Sequence, residues 1–349
     1  MHIPDGYLSP QTYVPAYAVI IPIWGVASRR LKQTMKQRQV PMLALAAAFS
    51  FVIMMFNVPI PGGTTGHAVG AVLIAVLLGP WAATIAVSLA LIVQALLFGD
   101  GGITAIGANC LNMAVVMPWI GWGAYRLAAG SSSIKSRRRW IAAAVGGYAG
   151  LNAAAVTTGI MFGIQPIIAH GADGHALYNP FGLSVAVPAM AIEHLLVFGF
   201  VEAAVTGFVV SYLQRTDPSM LAAFGGSHME SAPTDVKRSP IVQRLAIALA
   251  GLAVLSPLGL YLPAKFAAGT AWGEWSSGEI GKLAGYVPKQ LDKVGSIWHA
   301  PIADYSLPGQ ESASLTTLSF SYVLSALVGI GLLVLVVYLC RRLYTQVKK

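Results

Sequence analysis

The sequence predicts an all-α integral membrane protein of about nine transmembrane helices: a seven-helix bundle followed by a two-helix module. Three observations predict it. Of the 349 residues, 56% are hydrophobic and only 10% are charged, whereas a soluble domain carries roughly 25% charge. Mean hydropathy is +0.67. Apolar runs of spanning length recur along the chain, and the basic residues cluster after alternate runs. So few charges cannot coat a water-soluble globule, which excludes soluble enzymes, disordered chains and disulfide scaffolds. The net charge of +9 does not point to nucleic acid, because its placement follows membrane topology.

A membrane helix needs about 17–25 predominantly apolar residues. Nine runs qualify, near 11–28, 40–56, 67–79, 81–98, 106–129, 141–164, 185–213, 242–262 and 317–340. The third is short for a span, and Gly79-Pro80 breaks it from the fourth. It is expected to start in an irregular loop enclosed by protein, as non-helical backbone at membrane depth must be. Basic residues follow the first run (Arg29 to Arg38), the fifth (Lys135 to Arg139), the seventh (Arg215, Lys237, Arg238) and the last (Arg341, Arg342, Lys348, Lys349). With nine spans these clusters share one side, which holds all 22 Lys and Arg except Lys265, Lys282, Lys289 and Lys293. Positive residues favour the cytoplasm. The expected protein is therefore a multi-pass cell-membrane protein with an external N-terminus, a cytoplasmic C-terminus and an odd number of spans. Residues 215–240 are polar and rich in small residues, a cytoplasmic linker between a substrate-specific domain (1–214) and an accessory module (241–349) with an external segment, 263–316. Gly66 and Gly70 form a GxxxG, which permits close helix approach.

Cys110 and Cys340 lie in or beside apolar stretches with no CxxC motif, and read as packing residues. The opening MHIPDGYLSP lacks a basic n-region and an apolar h-region, so no cleaved signal peptide is expected. The chain contains no GxxxxGK[ST], GxSxG or HExxH, and is expected neither to hydrolyse nucleotides nor to act as an enzyme.

The first two residues carry the chemistry. A large side chain at position two hinders removal of the initiator methionine, so Met1 is expected to keep a free amine. That amine and the His2 amide nitrogen close a five-membered ring on a metal. The His2 amide nitrogen and imidazole Nδ1 close a six-membered ring. Three nitrogens then share a plane with one corner open. Displacing an amide proton into a planar nitrogen field suits nickel(II) and copper(II). Zinc prefers a tetrahedron, and magnesium and calcium prefer oxygen. Candidates for the fourth corner are His67, His170, His175 and His299. His67 is favoured, because it lies in NVPIPGGTTGHAVG, where the second external loop re-enters the membrane. Gly62, Gly63 and Gly66 allow close backbone approach there, and Thr64 and Thr65 offer hydroxyls. His170 and His175, in IIAHGADGHALYNP, suit capture at an entrance. Met54 and Met55 read as helix packing rather than as copper(I) ligands.

MHIPDGYLSP, GGTTGHAVGA, LGPWAA (78–83) and VEAAVTGFVVSYL (201–213) closely resemble the cobalt/nickel energy-coupling-factor transporters. The first 214 residues resemble their substrate-specific M component. The stretch LSPLGLYLPAKFAAGTAWGEW (255–275) and the final span resemble the two-span N component, so the chain resembles an M–N fusion. The resemblance implies Ni2+ or Co2+ as the transported ion, held by the Met1 amine, the His2 amide and imidazole, and His67. It also implies a transmembrane coupling component and a pair of cytoplasmic ATPases as partners. A ligating imidazole needs its other N–H satisfied, and Asn57, Asn109 and Asn112 are candidates for that role or for locking loops.

Glu193, His194 and Glu202 are ionisable groups within the seventh run. Such groups point to function by default, and here they read as structural pairing or partner coupling. The competing reading makes them the proton relay of a self-sufficient metal permease. An intramembrane metalloenzyme would instead need an open coordination site beside a general base, which four planar nitrogens do not leave.

Overall fold

The computed structural model describes residues 1–35, 40–59, 65–222, 240–266, 275–310 and 312–347. Gly62, Gly63 and Thr64, residues 223–239 of the expected linker, and residues 267–274 lie outside that set. The described chain is almost wholly helical. Helix α1 (Pro10–Thr34) starts with proline in its first turn, where the missing N–H costs nothing. Helix α2 (Val40–Met54) follows. A two-residue antiparallel ladder joins β1 (Val58–Pro59) to β2 (Thr65–Gly66). Helix α3 (Ala71–Leu78) is only eight residues long, all of them buried. The chain reverses at Gly79 into α4 (Pro80–Val93), which runs on through a π turn at 94–98. Helix α5 (Ile106–Asn109) continues through a π turn at 110–116 into α6 (Met117–Ala129). Helix α7 (Arg137–Gly163) is N-capped by the Ser136 hydroxyl, which accepts from the Arg138 amide. Helices α8 (Gln165–Ile168) and α9 (Leu183–Glu193) follow. A π turn at 194–198 joins α9 to α10 (Gly199–Thr216), and α11 (Pro218–Ala222) ends the first module. The second module holds α12 (Pro240–Leu255), α13 (Leu258–Phe266), α14 (Ser277–Ala284), α15 (Leu291–Gly295) and α16 (Leu315–Val347).

Helical structure stands at each of the nine expected runs. Among the described residues, five stretches are long and apolar enough to cross a membrane: Pro80–Phe98, Arg137–Ile168, Leu183–Thr216, Val242–Leu262 and Leu315–Cys340. The other four runs depart from a full apolar rod. The tyrosines, prolines and basic end of α1 dilute its hydropathy, α2 has 15 residues, and α5–α6 is interrupted by its π turn. The third run is a half-helix entered from the irregular segment 67–70, as its length predicts.

Helix α7 is central and packs against α6, α9 and α10. Its contact with α6 is close because both faces carry glycine. A Cβ on Gly146 would sit 2.6 Å from the Gly121 carbonyl oxygen, and one on Gly150 would sit 2.5 Å from that of Met117. In lipid, where apolar side chains gain little by leaving their solvent, such backbone approach is a main source of helix adhesion. Helices α12 and α16 lie against α2, so the second module packs directly on the first. Cys110 is buried in this core, whereas Cys340 is exposed near the end of α16, contrary to its expected packing role.

These glycines yield a paired prediction. Gly146→Ala forces α6 and α7 apart and should destabilise the detergent-solubilised protein by about 1–3 kcal/mol, the usual cost of overpacking. Gly123→Ala, on the same contact's α6 but with open space at its Cβ, should be neutral or slightly stabilising, since alanine favours helix. Thermal unfolding of the two variants checks this.

Candidate metal centre

The beginning of the chain folds into the bundle. Met1 is 2% exposed, His2 6% and Ile3 0%, and Tyr7, Leu8 and Ser9 are also buried. Buried main-chain polar groups need partners, and side chains from distant elements supply them. The Asn109 side-chain oxygen accepts from the Ile3 amide at 2.9 Å, and its amide group donates back to the Ile3 carbonyl at 3.1 Å. The Gly102 amide donates to that same carbonyl at 2.9 Å. The Asp5 carboxylate accepts from the Ile103 and Thr104 amides at 2.9 and 2.8 Å, and from the Thr104 hydroxyl. The Gln165 side chain bridges the Ser9 amide and the Thr12 hydroxyl. The start of the chain, which turns at residues 5–8, is thereby anchored to α5 and α8.

His67 projects from the irregular segment between β2 and α3 and is 1% exposed. Its Nε2 lies 3.2 Å from His2 Nδ1, with ring centroids 4.8 Å apart and planes inclined by 29°. The Met1 amine donates to the Thr65 carbonyl at 3.4 Å, two residues before His67. Adjacent corners of a square with metal–nitrogen bonds of about 2 Å, as for imidazole nitrogen, are about 2.8 Å apart. The observed approach is within a few tenths of an ångström of that spacing. Among the described residues, no group of three or more His, Cys, Asp or Glu side chains is arranged to hold a metal.

One residue at the centre escaped the sequence reading. Asp100, in the turn after α4, places Oδ1 3.0 Å from His2 Nδ1. Its Oδ2 accepts from the Tyr305 hydroxyl at 2.5 Å, and Gln94 Nε2 donates to both partners, at 2.9 Å to the Tyr305 oxygen and 3.2 Å to Asp100. Burial pushes the Asp100 carboxyl up to about 6, against the Tyr305 hydrogen bond and the N-terminal charge, which pull it down. An acidic residue set among glycines in FGDGG, at the end of an apolar run, was the available clue. Tyr305, more than 200 residues further on, carried none.

The remaining candidates fall elsewhere. His170, His175 and His299 are exposed. His175 packs its ring on Tyr286, 4.2 Å between centroids, and His170 forms an isolated bridge with Ala176. Asn109 secures Ile3 rather than an imidazole, and Asn112 donates to the Thr158 hydroxyl on α7. Asn57 lies between α2 and β1. Met54 and Met55 are fully buried core residues. His194 Nδ1 bonds the Met190 carbonyl at 2.7 Å one turn back, while Glu193 is buried beside it. Glu202 accepts from the Val69 and Gly70 amides.

The second module closes over the same end of the bundle. Tyr7 donates to the Trp275 carbonyl at 2.7 Å, the Ile302 amide to the Leu97 carbonyl at 2.9 Å, and Trp298 Nε1 to the Leu96 carbonyl at 3.1 Å. Tyr286 accepts from the Ala176 amide at 3.0 Å, and the Gln290 amide donates to the Leu177 carbonyl at 3.0 Å.

Residues 2–220 match the family model for the cobalt uptake substrate-specific transmembrane region. The chain is 47% identical to the fused nickel transport protein NikMN of Rhodobacter capsulatus over 350 residues, covering 96% of this chain and 95% of that protein. It is 42% identical over 345 residues to the probable fused nickel transport protein LarMN of Lactiplantibacillus plantarum, covering 97% and 96%. A crystal structure of a truncated transition metal transporter matches with a TM-score of 0.59 and 52% identity, covering 62% of this chain and 99% of that one. The chain is thus a multi-pass membrane protein that belongs to the cobalt uptake substrate-specific transmembrane family, as a nickel/cobalt M–N fusion transport component.

Proposed function

We propose that this chain is the substrate-binding component of an ATP-driven energy-coupling-factor importer for Ni2+ or Co2+. In this reading it takes the ion from outside the cell into a planar site of four nitrogens: the Met1 amine, the His2 amide and Nδ1, and His67 Nε2. The observation that carries the reading is the 3.2 Å approach of His2 Nδ1 to His67 Nε2, in a core that encloses the first residue. Planar nitrogen donors favour nickel(II), and the chelate rings follow from the covalent structure of Met1-His2. As the ion enters, the proton on His2 Nδ1 must leave, and Asp100 Oδ1, 3.0 Å away, is placed to receive it. Residues 1–214 form the substrate-specific domain, 215–240 a cytoplasmic linker and 241–349 the accessory module. The N-terminus faces out and the C-terminus faces the cytoplasm. ATP is hydrolysed by a separate pair of cytoplasmic ATPases that act through a transmembrane coupling component.

The rival reading, a proton-coupled permease using Glu193, His194 and Glu202, has less support. Glu202 and His194 Nδ1 are engaged by main-chain groups, which suits fixed structural roles better than a relay.

The four-nitrogen site makes three predictions. Adding one residue before Met1, or acetylating its amine, removes a chelating nitrogen. Nickel affinity should then fall by more than the roughly 10–100-fold that loss of an outer-shell partner costs; calorimetric titration showing equal affinity would overturn the site. The ligands must be deprotonated to bind, so affinity should fall steadily as pH drops below neutral, because the terminal amine and the His2 amide give up protons to the ion. A flat profile there would contradict nitrogen ligation. Vesicles containing only this chain should not concentrate nickel under an imposed proton gradient. Concentrative uptake there would favour the permease.

A further inference from the structure

Helix α3 begins inside the protein, so the orphan N–H groups of its first turn cannot be satisfied by solvent. Its N-cap is Gly70, at φ +71, in the left-handed region that only glycine adopts freely, and it has no side chain with which to cap the helix. The acceptor at this point comes from far along the chain, and it meets the two amides that lead into the helix rather than those of its first turn. Glu202, on α10 and 0% exposed, turns its carboxylate onto this point. Its Oε2 accepts from the Val69 amide at 2.9 Å and the Gly70 amide at 3.1 Å. From the opposite side, the Ser50 hydroxyl on α2 donates to the Val69 carbonyl at 2.9 Å. Both faces of the Val69 peptide region are therefore fixed, two residues from His67.

A carboxylate at a helix N-terminus is stabilised by the helix dipole as well as by hydrogen bonds. That accounts for how an acidic group is tolerated at 0% exposure in a bundle surrounded by lipid, where isolated charges are expensive. It also limits what Glu202 does. It touches neither His2 nor His67, and its reach sets the height at which the His67 segment sits. Ligand geometry must be held within about 0.5 Å by surrounding contacts. A slack Val69–Gly70 segment would carry the imidazole away from His2.

We infer that Glu202 is a positioning residue for metal capture: by gripping the Val69 and Gly70 amides from α10 it holds His67 at the corner of the plane left open by the chain start. The inference rests on the four-nitrogen reading of the site. It also gives Glu202 a job that a proton relay does not require, because the role depends on reach and acceptor geometry rather than on exchange of a proton.

The test uses the purified full chain, titrated with Ni2+ alone and read by dissociation constant and visible absorption. Each nitrogen in the plane strengthens the ligand field and moves the nickel band to shorter wavelength. His67→Ala, which removes the fourth nitrogen, should move the band to longer wavelength. Glu202→Ala should move it the same way and weaken binding about 10–100-fold, the usual cost of losing an outer-shell partner. Glu202→Asp keeps the charge but shortens the reach by one methylene, and should show the same defect in part. Glu202→Gln keeps both the reach and an acceptor oxygen, and should retain the native band. Should Glu202→Ala fail to fold, the Asp and Gln pair decides the matter. Native affinity and band in both Glu202→Ala and Glu202→Asp, with His67→Ala shifted, would overturn the positioning role and leave the site standing. An unshifted His67→Ala would instead remove the site, and the positioning role with it.

Discussion

Burial of the chain's first nine residues is the constraint on which the rest of the structure depends. A charged amine and several main-chain polar groups leave water there, which costs several kcal/mol unless each finds a partner. The partners come from four places: Thr65 for the amine, Asn109 and Gly102 for Ile3, the 103–104 turn for Asp5, and Gln165 for Ser9. None of these is close in sequence to residues 1–9. The position of the segment therefore depends on contacts with α5, α8 and the 65–70 segment together. Two imidazoles brought together by that assembly become a product of the whole first module rather than of any local motif.

The 65–70 segment must be equally well placed, and the same logic of distant anchoring applies to it. It is short, is irregular beyond the two residues of β2, and leads into a helix too short to cross a membrane. Ser50 and Glu202 compensate from either side. A half-helix starting within a bundle takes main-chain donors out of water, and a buried carboxylate answers the two that lead into it. The second module adds a third set of anchors. Ser276 and Glu279 form a capping box that starts α14, and Ile280, Leu291 and Tyr305 of the segment between α13 and α16 are buried. Through Tyr305 and Asp100 that segment communicates with His2 over two hydrogen-bonding contacts, so the fused module shares in the electrostatics of the centre.

Much of this was legible in the residues themselves. The paucity of charge and the apolar runs specify helices in a membrane. The chelate rings at Met1-His2 follow from covalent bonding alone. Of the glycines read as allowing close approach before His67, Gly66 does so, against the Phe198 ring, while Gly62 and Gly63 lie outside the described residues. The third run's brevity correctly marks a half-helix. What stayed hidden depends on contacts across long separations. Asn109 reads as a possible imidazole partner, yet it grips the Ile3 peptide, because the side-chain amide matches a main-chain amide in both donor and acceptor. Glu202 reads as an intramembrane charge of uncertain task until α10 is placed beside the start of α3. Asp100 and Tyr305 meet only when the second module folds over the first. Number of crossings was also hard to read, because enclosed helices such as α2 and α3 need neither the length nor the outward apolar face of a lipid-exposed span.

The most direct test of the central claim is anomalous diffraction at the nickel edge from crystals of the nickel-loaded protein. The account predicts a single strong peak among the Met1 amine, the His2 amide nitrogen, His2 Nδ1 and His67 Nε2, about 2 Å from each, the length expected for metal–nitrogen bonds. A peak beside the exposed histidines, or one in contact with the imidazoles while the first residue is disordered, would contradict it.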